Sequence, residues 1–101
     1  MYKAVILPLA RNDIRDAAKW YNNQQDKLGR RFTEKVRQKV LAITINPYAF
    51  TLRYSNIRTV STDIFPFMIH FAIVEETKTV IISAVLHTSL DSDKWTARTK
   101  V

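Results

Sequence analysis

The sequence predicts an α+β fold: a two-layer sandwich with the element order β-α-α-β-β-β, in which a helical hairpin packs on a mainly antiparallel sheet. Three observations lead to this prediction. A short β-prone run opens the chain, apolar residues then recur with helical spacing as far as Asn46, and the pattern alternates like that of strands after Pro47. No repeat, linker or low-complexity segment interrupts this order.

The first predicted strand ends at Pro8, where the first helix begins. Tyr2 to Leu7 is the β-prone run, and a proline suits the first turn of a helix because an N–H there would have no helical partner. The helix is predicted from Leu9 to about Gln25, with Trp20 at the edge of its apolar stripe. That stripe consists of Ala10, Ile14, Ala17, Ala18 and Tyr21.

The second helix follows the polar segment Asn22 to Lys27 and ends at Asn46-Pro47, because the residue before a proline avoids helical geometry. Its connection to the first helix is short, which predicts an antiparallel hairpin of helices. Its apolar face consists of Leu28, Phe32, Val36, Val40 and Ile43.

Three strands are predicted after Pro47. They run from Ile57 to Thr62, from Ile64 to Val74 and from Thr79 to His87, and residues 75–78 form a hairpin turn between the last two. Pro66 fits only near the start of its strand or at a bulge. The result is a meander whose middle strand is covered on at least one face.

Composition bounds the possible functions. The chain has 101 residues, 47% of them apolar and 25% charged, which predicts one domain. Zero cysteines exclude a disulfide framework, a thiolate metal site and a cysteine nucleophile. The single glycine, Gly29, excludes a phosphate-binding glycine loop, and two histidines argue against a zinc hydrolase. We expect no cofactor, no metal and no membrane partner, and a soluble, cytoplasmic protein, since no run of about 18 apolar residues occurs.

The net charge of +7 lies in one third of the chain. Residues 27–58 carry eight basic residues and one acidic residue, whereas the remainder is balanced. Such a field attracts nucleic acid, an acidic protein or another anionic surface. On the second helix, Arg31, Lys35 and Lys39 follow one another at i, i+4 spacing, which destabilises an isolated helix. The row either covers the flank of the apolar stripe with its methylene stems or awaits an anionic partner.

Short motifs now add a resemblance that covers nearly the whole chain, from Tyr2 to Trp95. With its elements in this order, the sequence resembles the RelE/ParE superfamily of toxins from bacterial type II toxin–antitoxin systems, and it is in particular similar to the ParE-like, plasmid stabilization branch. The motifs are Trp20-Tyr21, Leu28-Gly29-Arg30-Arg31-Phe32, Asn46-Pro47, Arg53-Tyr54, Ile57-Arg58, Phe65-Pro66-Phe67 and Val85-Leu86-His87.

The resemblance implies a single toxin domain over residues 1–95 with a short tail over residues 96–101, neutralised by a cognate antitoxin whose segment wraps the toxin surface. RelE-like members cleave mRNA on the ribosome, whereas ParE-like members inhibit DNA gyrase without cleaving nucleic acid. The antitoxin segment is expected to be acidic or amphipathic and to lie on the helical hairpin and the basic face of the second helix. The residues expected to bind nucleic acid or a partner are Arg30, Arg31, Lys35, Lys39, Trp20 and Trp95.

RNA cleavage would need a general base, a general acid and cations for the phosphate. His87 would act as acid or base, Arg58 and Arg53 would hold phosphate, and Tyr54 would stack on a base. The alternative for His87 is that it caps backbone groups at the end of its strand. His70, deep in an apolar strand, is expected to be a hydrogen-bonded core histidine.

One position departs from the superfamily pattern. Three residues after the strand-ending histidine, where the pattern commonly has a basic residue, this chain has Leu90, although Trp95 is present. A leucine cannot neutralise phosphate, and Lys94 or Arg98 would have to supply the charge. The sequence therefore favours a toxin that binds a macromolecular target such as DNA gyrase. The alternatives are a ribosome-dependent, metal-independent mRNA interferase and a non-toxic basic binding module.

Overall fold

A computed structural model describes residues 1–90 as two helices packed against one five-stranded sheet. The strands are β1 (Lys3–Ile6), β2 (Thr51–Tyr54), β3 (Ile57–Ser61), β4 (Phe67–Val74) and β5 (Thr79–His87). The helices are α1 (Pro8–Gln24) and α2 (Leu28–Ile45), and short 3-10 turns lie at Pro47–Ala49 and Glu75–Thr77. The predicted α+β sandwich is confirmed.

The sheet has the strand order β1-β5-β4-β3-β2. β1 pairs parallel with β5, and every other neighbouring pair is antiparallel, as predicted for a mainly antiparallel sheet. β4 and β5 are central, which explains why their sequences carry the longest apolar runs. β1 and β2 are the two edges, and both are only four residues long, as is common for edge strands.

Two details differ from the sequence prediction. β2 was not predicted, because its side chains are mostly exposed and show no alternating burial. β4 begins at Phe67 rather than at Ile64. The hydroxyl of Thr62 donates to the carbonyl oxygens of Phe65 and Phe67, at 3.0 and 3.2 Å, and so folds residues 62–67 into a turn. Pro66, which has no N–H for a ladder, lies in that turn.

Both helices bury their apolar stripes against one face of the sheet. Phe32 and Ile43 of α2 and Ala10 of α1 are fully buried with side chains of the central strands. Edge-to-face aromatic contacts reinforce one end of this core, where the ring centroids of Tyr21 and Phe65 are 4.8 Å apart. The helical hairpin is therefore held by the predicted stripes, and it covers only one side of the sheet.

The helices cross closely at Gly29. Its backbone N–H donates to the side-chain oxygen of Asn22, at 2.8 Å. A Cβ at this position would lie 2.1 Å from the backbone carbonyl oxygen of Ala18. The chain's only glycine thus stands where α2 touches the backbone of α1.

Candidate functional site

The predicted catalytic residues do not gather at one place on the sheet. His87 pairs with Phe67 at one end of β4, and Arg58 pairs with Phe71 four residues further along the same strand. Four residues of a strand span about 13 Å, and β3 and β5 lie on opposite sides of β4, which adds about 10 Å across the sheet. Arg58 and His87 therefore do not converge on one site in this structure.

His87 lies in a local hydrogen-bonded turn at the end of β5. Its Nδ1 accepts the backbone N–H of Ser89 at 3.0 Å, and the Ser89 hydroxyl lies 2.7 Å from the same nitrogen. Since Nδ1 accepts from a backbone N–H, the neutral ring carries its proton on Nε2. Nε2 then has no lone pair to act as a base. The arrangement matches the alternative in which this histidine caps backbone groups.

Arg58 is bound into the fold on the helix-covered face. Its guanidinium donates to the Phe50 carbonyl oxygen at 2.7 Å and lies 5.2 Å from the centroid of the Tyr48 ring. These contacts connect β3 to the segment between α2 and β2. The half-buried side chain thus anchors backbone, and its catalytic role remains a prediction.

Tyr54 and Arg53 do not gather around Arg58. Tyr54 pairs with Ile57, and its hydroxyl lies 2.9 Å from Nδ1 of the fully buried His70. Because side chains alternate along β3, this contact is on the opposite face of the sheet from Arg58. Arg53 is exposed on the edge strand β2. The prediction that His70 is a hydrogen-bonded core histidine is confirmed.

Only some of the basic side chains predicted to bind a partner on α2 are exposed to solvent. Arg30 and Arg31 are exposed, whereas Lys35 and Lys39 are half-buried along the flank of the helix. Lys39 forms an ion pair with Asp63 at 3.1 Å, which attaches this end of the row to the β3–β4 turn. The half-buried Lys35 and Lys39 fit the reading in which the methylene stems cover the flank of the apolar stripe, and an anionic partner for the exposed arginines stays a prediction.

Trp20 borders an apolar groove at the His87 end of the sheet. Its side chain is 57% exposed, and its ring meets Tyr21 edge to face at 5.1 Å. The groove encloses about 420 Å³, and its remaining lining residues are Ala17, Pro66, Phe67 and His87. Leu90 closes the turn after β5 with a hydrogen bond from its N–H to the His87 carbonyl oxygen, at 3.0 Å. Trp95, Lys94 and Arg98 lie outside the described residues.

An exposed acidic centre, Glu75, was not predicted from the sequence. Glu75 accepts hydrogen bonds from the hydroxyls of Tyr2 and Tyr48, at 2.7 and 2.6 Å, and forms an ion pair with Lys78. The hydrogen bond from Lys78, followed by those from the two tyrosines, lowers the pKa of Glu75 to about 2. No sequence signal could have grouped these residues, since the chain positions are 2, 48, 75 and 78.

A second cationic row, on α1, was not predicted from the sequence, and it lines a groove. Arg11, Arg15 and Lys19 of α1 border a space of about 550 Å³ between α1 and α2. Their i, i+4, i+8 spacing was the available signal, because it puts all three on one helix face.

Within residues 1–90, no three histidine, aspartate or glutamate side chains group closely enough to hold a metal ion. None of the helices in that range is both long and apolar enough to cross a membrane.

Comparisons with known proteins agree with this fold. A family model described as the ParE toxin of type II toxin–antitoxin systems, parDE, matches residues 4–91. The chain is similar to a structure from the chromosomal ParDE toxin–antitoxin system of P. aeruginosa, with a TM-score of 0.76 and 13% identity, covering 88% of this chain and 98% of that one. It is also similar to the isolated RelE toxin of E. coli, with a TM-score of 0.67 and 16% identity, covering 96% and 95%. No curated protein sequence matches.

Proposed function

This chain belongs to the ParE toxin family of type II toxin–antitoxin systems, and from that premise we propose that it arrests growth by binding an essential macromolecular machine. DNA gyrase is the first target to test. The partner that neutralises the chain is an antitoxin, as in the ParDE system whose structure it resembles. In this mode of action the toxin binds its target and breaks no covalent bond.

The separation of Arg58 and His87 is the observation that supports a non-nuclease mode of action. Cleavage of RNA by its 2′-hydroxyl requires a base, an acid and a cation around one phosphate. Here the partners of these two residues stand four positions apart on β4. Arg58 is directed to the Phe50 carbonyl oxygen, and Nδ1 of His87 is engaged by Ser89. Leu90 also supports a non-nuclease mode of action, because a cation would be expected at this position.

The open cations supply the attraction to a target. Within the basic segment of residues 27–58, Arg30 and Arg31 are exposed and project from the start of α2. A concentrated positive field accelerates encounter with an acidic surface or with nucleic acid held by an enzyme. We expect these arginines, and the exposed side chain of Trp20, to contribute to target binding.

The test combines growth, gyrase activity and RNA integrity. The chain is expressed alone from an inducible promoter while growth and new RNA 5′ ends are followed, and refolded chain is added to a gyrase supercoiling assay. We expect growth arrest and inhibition of supercoiling without discrete cuts in translated messages. Arrest with such cuts would instead establish the mRNA interferase alternative, which the likeness to the E. coli RelE fold also allows.

The remaining outcomes are equally specific. Arrest with neither cuts nor gyrase inhibition would reject gyrase as the target and retain a binding toxin. Full growth with correctly folded chain would reject toxicity and favour the non-toxic basic binding module. In that case the chain would still be expected to capture an antitoxin, since this partner needs no active toxin.

A further inference from the structure

We infer that a pocket around Arg58, the Arg58 pocket, anchors the toxin to its target by binding an acidic side chain and a neighbouring apolar side chain of a protein segment. This inference rests on the proposed function, because it names the chemistry by which the target is held. The pocket encloses about 300 Å³, which suits anchoring side chains rather than a large ligand. Its lining residues are Tyr48, Leu52, Ser55, Asn56, Arg58 and Ile73.

The register of the sheet brings these side chains together. Leu52 of β2 and Arg58 of β3 are paired across the two strands, so their side chains lie next to each other on one face. Ile73 of β4 continues that face, and the two-residue turn between β2 and β3 closes one end. Neither α1 nor α2 contributes a lining residue. The Arg58 pocket is therefore separate from the helical hairpin on which the antitoxin is expected.

Arg58 carries a charge that no carboxylate of residues 1–90 neutralises through an ion pair. Its side chain is half-buried, and Nη1 donates to the Phe50 carbonyl oxygen at 2.7 Å. A guanidinium has five N–H donors, so most of them remain for an acceptor in the pocket. A carboxylate supplies both the opposite charge and two oxygens that match the guanidinium fork. Charge complementarity thus favours an aspartate or glutamate of a partner.

Glu75 does not take that place, although it binds the hydroxyl of Tyr48. Its Oε1 accepts from Tyr2 and Tyr48, and its Oε2 forms an ion pair with Lys78. The ring of Tyr48 is thus held by Glu75 at its hydroxyl and lies 5.2 Å from the Arg58 guanidinium. This wall of the pocket is fixed before a partner arrives, which lowers the entropy cost of binding.

The apolar side chains of the pocket favour a protein as the partner. Tyr48 is 51% exposed and Leu52 is 54% exposed, so both have apolar surface to bury. Tyrosine and arginine are also the residue types that are enriched at the energetic centres of protein interfaces. A segment that places an apolar side chain against Leu52 and a carboxylate against Arg58 would use both properties of the pocket.

A nucleic acid is the weaker candidate. A phosphate would match the guanidinium, but Arg58 is the sole cation among the lining residues, whereas a nucleic-acid backbone is bound by several. Tyr48 is also the sole aromatic side chain of the lining, and Arg58 already contacts its ring. The observations therefore favour an acidic protein segment.

Asn56→Asp tests the acidic occupant, because it adds a negative charge to the pocket and keeps the shape of the side chain. Asn12→Asp is the matched control, at an exposed position of α1 outside the pocket. Each chain is induced alone, and growth is followed against the amount of toxin per cell. We expect Asn56→Asp to need at least about tenfold more toxin for the same arrest, and the control to stay within about twofold of the parent. Capture of co-expressed antitoxin checks that each variant folds.

A second set of variants decides the question if Asn56→Asp fails to fold. Leu52→Asp and Leu52→Asn have the same shape and differ in charge, so a difference in arrest between them reports the charge of the occupant. Leu41→Asp is the control, because Leu41 on α2 is 55% exposed and thus matches Leu52. We expect Leu52→Asp to arrest growth more weakly than Leu52→Asn, and Leu41→Asp to act like the parent.

A direct probe makes the test independent of growth. A capped dipeptide of leucine and glutamate is titrated into the isotope-labelled chain, and the spectra are recorded by NMR. The corresponding glutamine dipeptide and inorganic phosphate are titrated separately. We expect the Arg58 Nε–H and the Asn56 side-chain amide to shift most with the glutamate dipeptide.

Three results would contradict the inference in distinguishable ways. Arrest by folded Asn56→Asp and Leu52→Asp equal to that of their controls would remove the pocket from the target interface and leave the proposed function intact. Larger NMR shifts with phosphate, together with weakened binding of a labelled oligonucleotide by Asn56→Asp, would make the pocket a nucleic-acid site. A folded parent chain that causes no arrest would reject the proposed function itself.

Discussion

The Cα of Gly29 in α2 lies so close to the backbone of Ala18 in α1 that an added Cβ would stand 2.1 Å from the Ala18 carbonyl oxygen. The contact sets how closely the helical hairpin can close, and Thr33, one turn after Gly29, lines the α1–α2 groove. The shape of that groove therefore depends on the absence of a side chain at one position.

Replacing Gly29 with alanine is expected to destabilise the fold by about 1–3 kcal/mol, although alanine is the better helix former. The overlapping atom is backbone, so the helices must separate rather than a side chain rotate. Thermal unfolding checks this, with an expected fall in Tm of roughly 4–8 °C for each kcal/mol. Gln38→Ala, at an exposed position of the same helix, should change the free energy of unfolding by less than about 0.5 kcal/mol. A Gly29→Ala protein as stable as the parent would show that the hairpin tolerates a wider crossing.

Glu75 should make the fold sensitive to acid. Its hydrogen bonds from Lys78, Tyr48 and Tyr2 lower its pKa from 4.5 to about 2 in the folded chain. A lowered carboxyl pKa contributes stability above the unfolded value and loses it as the pH falls toward the folded value. The free energy of unfolding is therefore expected to fall between about pH 5 and pH 2, and Glu75→Gln should flatten that part of the curve.

Urea unfolding at several acid pH values measures this dependence. Glu76→Gln is the matched control, because Glu76 is exposed in the same turn and has no hydrogen bond or ion pair among residues 1–90. Its curve should keep the slope of the parent. Parallel curves for the parent and Glu75→Gln would mean that the tyrosine and lysine contacts do not hold in solution.

Asp13 is expected to stabilise the sheet from outside it. Its carboxylate accepts the backbone N–H of Val85 at 3.0 Å, next to the irregularity where the β4–β5 register shifts. Asp13→Ala leaves that N–H without its acceptor and should cost about 1–3 kcal/mol. Asp13→Asn keeps an acceptor oxygen and should cost less, and Asp16→Ala at an exposed position should cost little.

Amide hydrogen exchange locates the effect. Protection of the Val85 N–H should fall more in Asp13→Ala than in Asp13→Asn, whereas protection of amides in β3 should follow only the global stability. An unchanged Val85 rate would rule out the carboxylate as its partner.

His87→Ala is expected to leave growth arrest in place. The imidazole accepts from its own turn and lies far from Arg58, so the proposed mode of action gives it no chemical step. The measurement is growth after induction at matched expression, with Ser89→Ala as a control that disturbs the same turn without removing the ring. If His87→Ala abolished growth arrest with its fold intact while Ser89→Ala did not, His87 would have the catalytic role predicted for an mRNA interferase.

The order and type of most elements could be read from the sequence because each depends on neighbours along the chain. The apolar stripe that ends at Ile43 predicts the buried face of α2, and the alternation around Ile69 predicts the buried face of β4. Ile43 and Ile69 are both buried, as predicted. β2 was not predicted, because an exposed edge strand such as Thr51–Tyr54 has no buried face and therefore no alternation of apolar and polar residues. Leu52 at its centre is 54% exposed.

The candidate site could be predicted only as a set of residue types. Tyr54 and Arg58 are close in sequence, yet strand alternation across the β2–β3 turn puts them on opposite faces of the sheet. Glu75 gathers two tyrosines that no spacing rule connects. Arg11, Arg15 and Lys19 have a readable spacing, but that spacing does not reveal that they border a groove.

By itself, then, the sequence determined the fold class, the two helix faces, the central strands and the family, because local periodicity and short ordered motifs carry that information. Only the tertiary structure decided which charged side chains share a site. Register, strand order and helix crossing set those distances, and all three depend on contacts between residues remote in the chain, such as Gly29 with Ala18 and Asp13 with Val85.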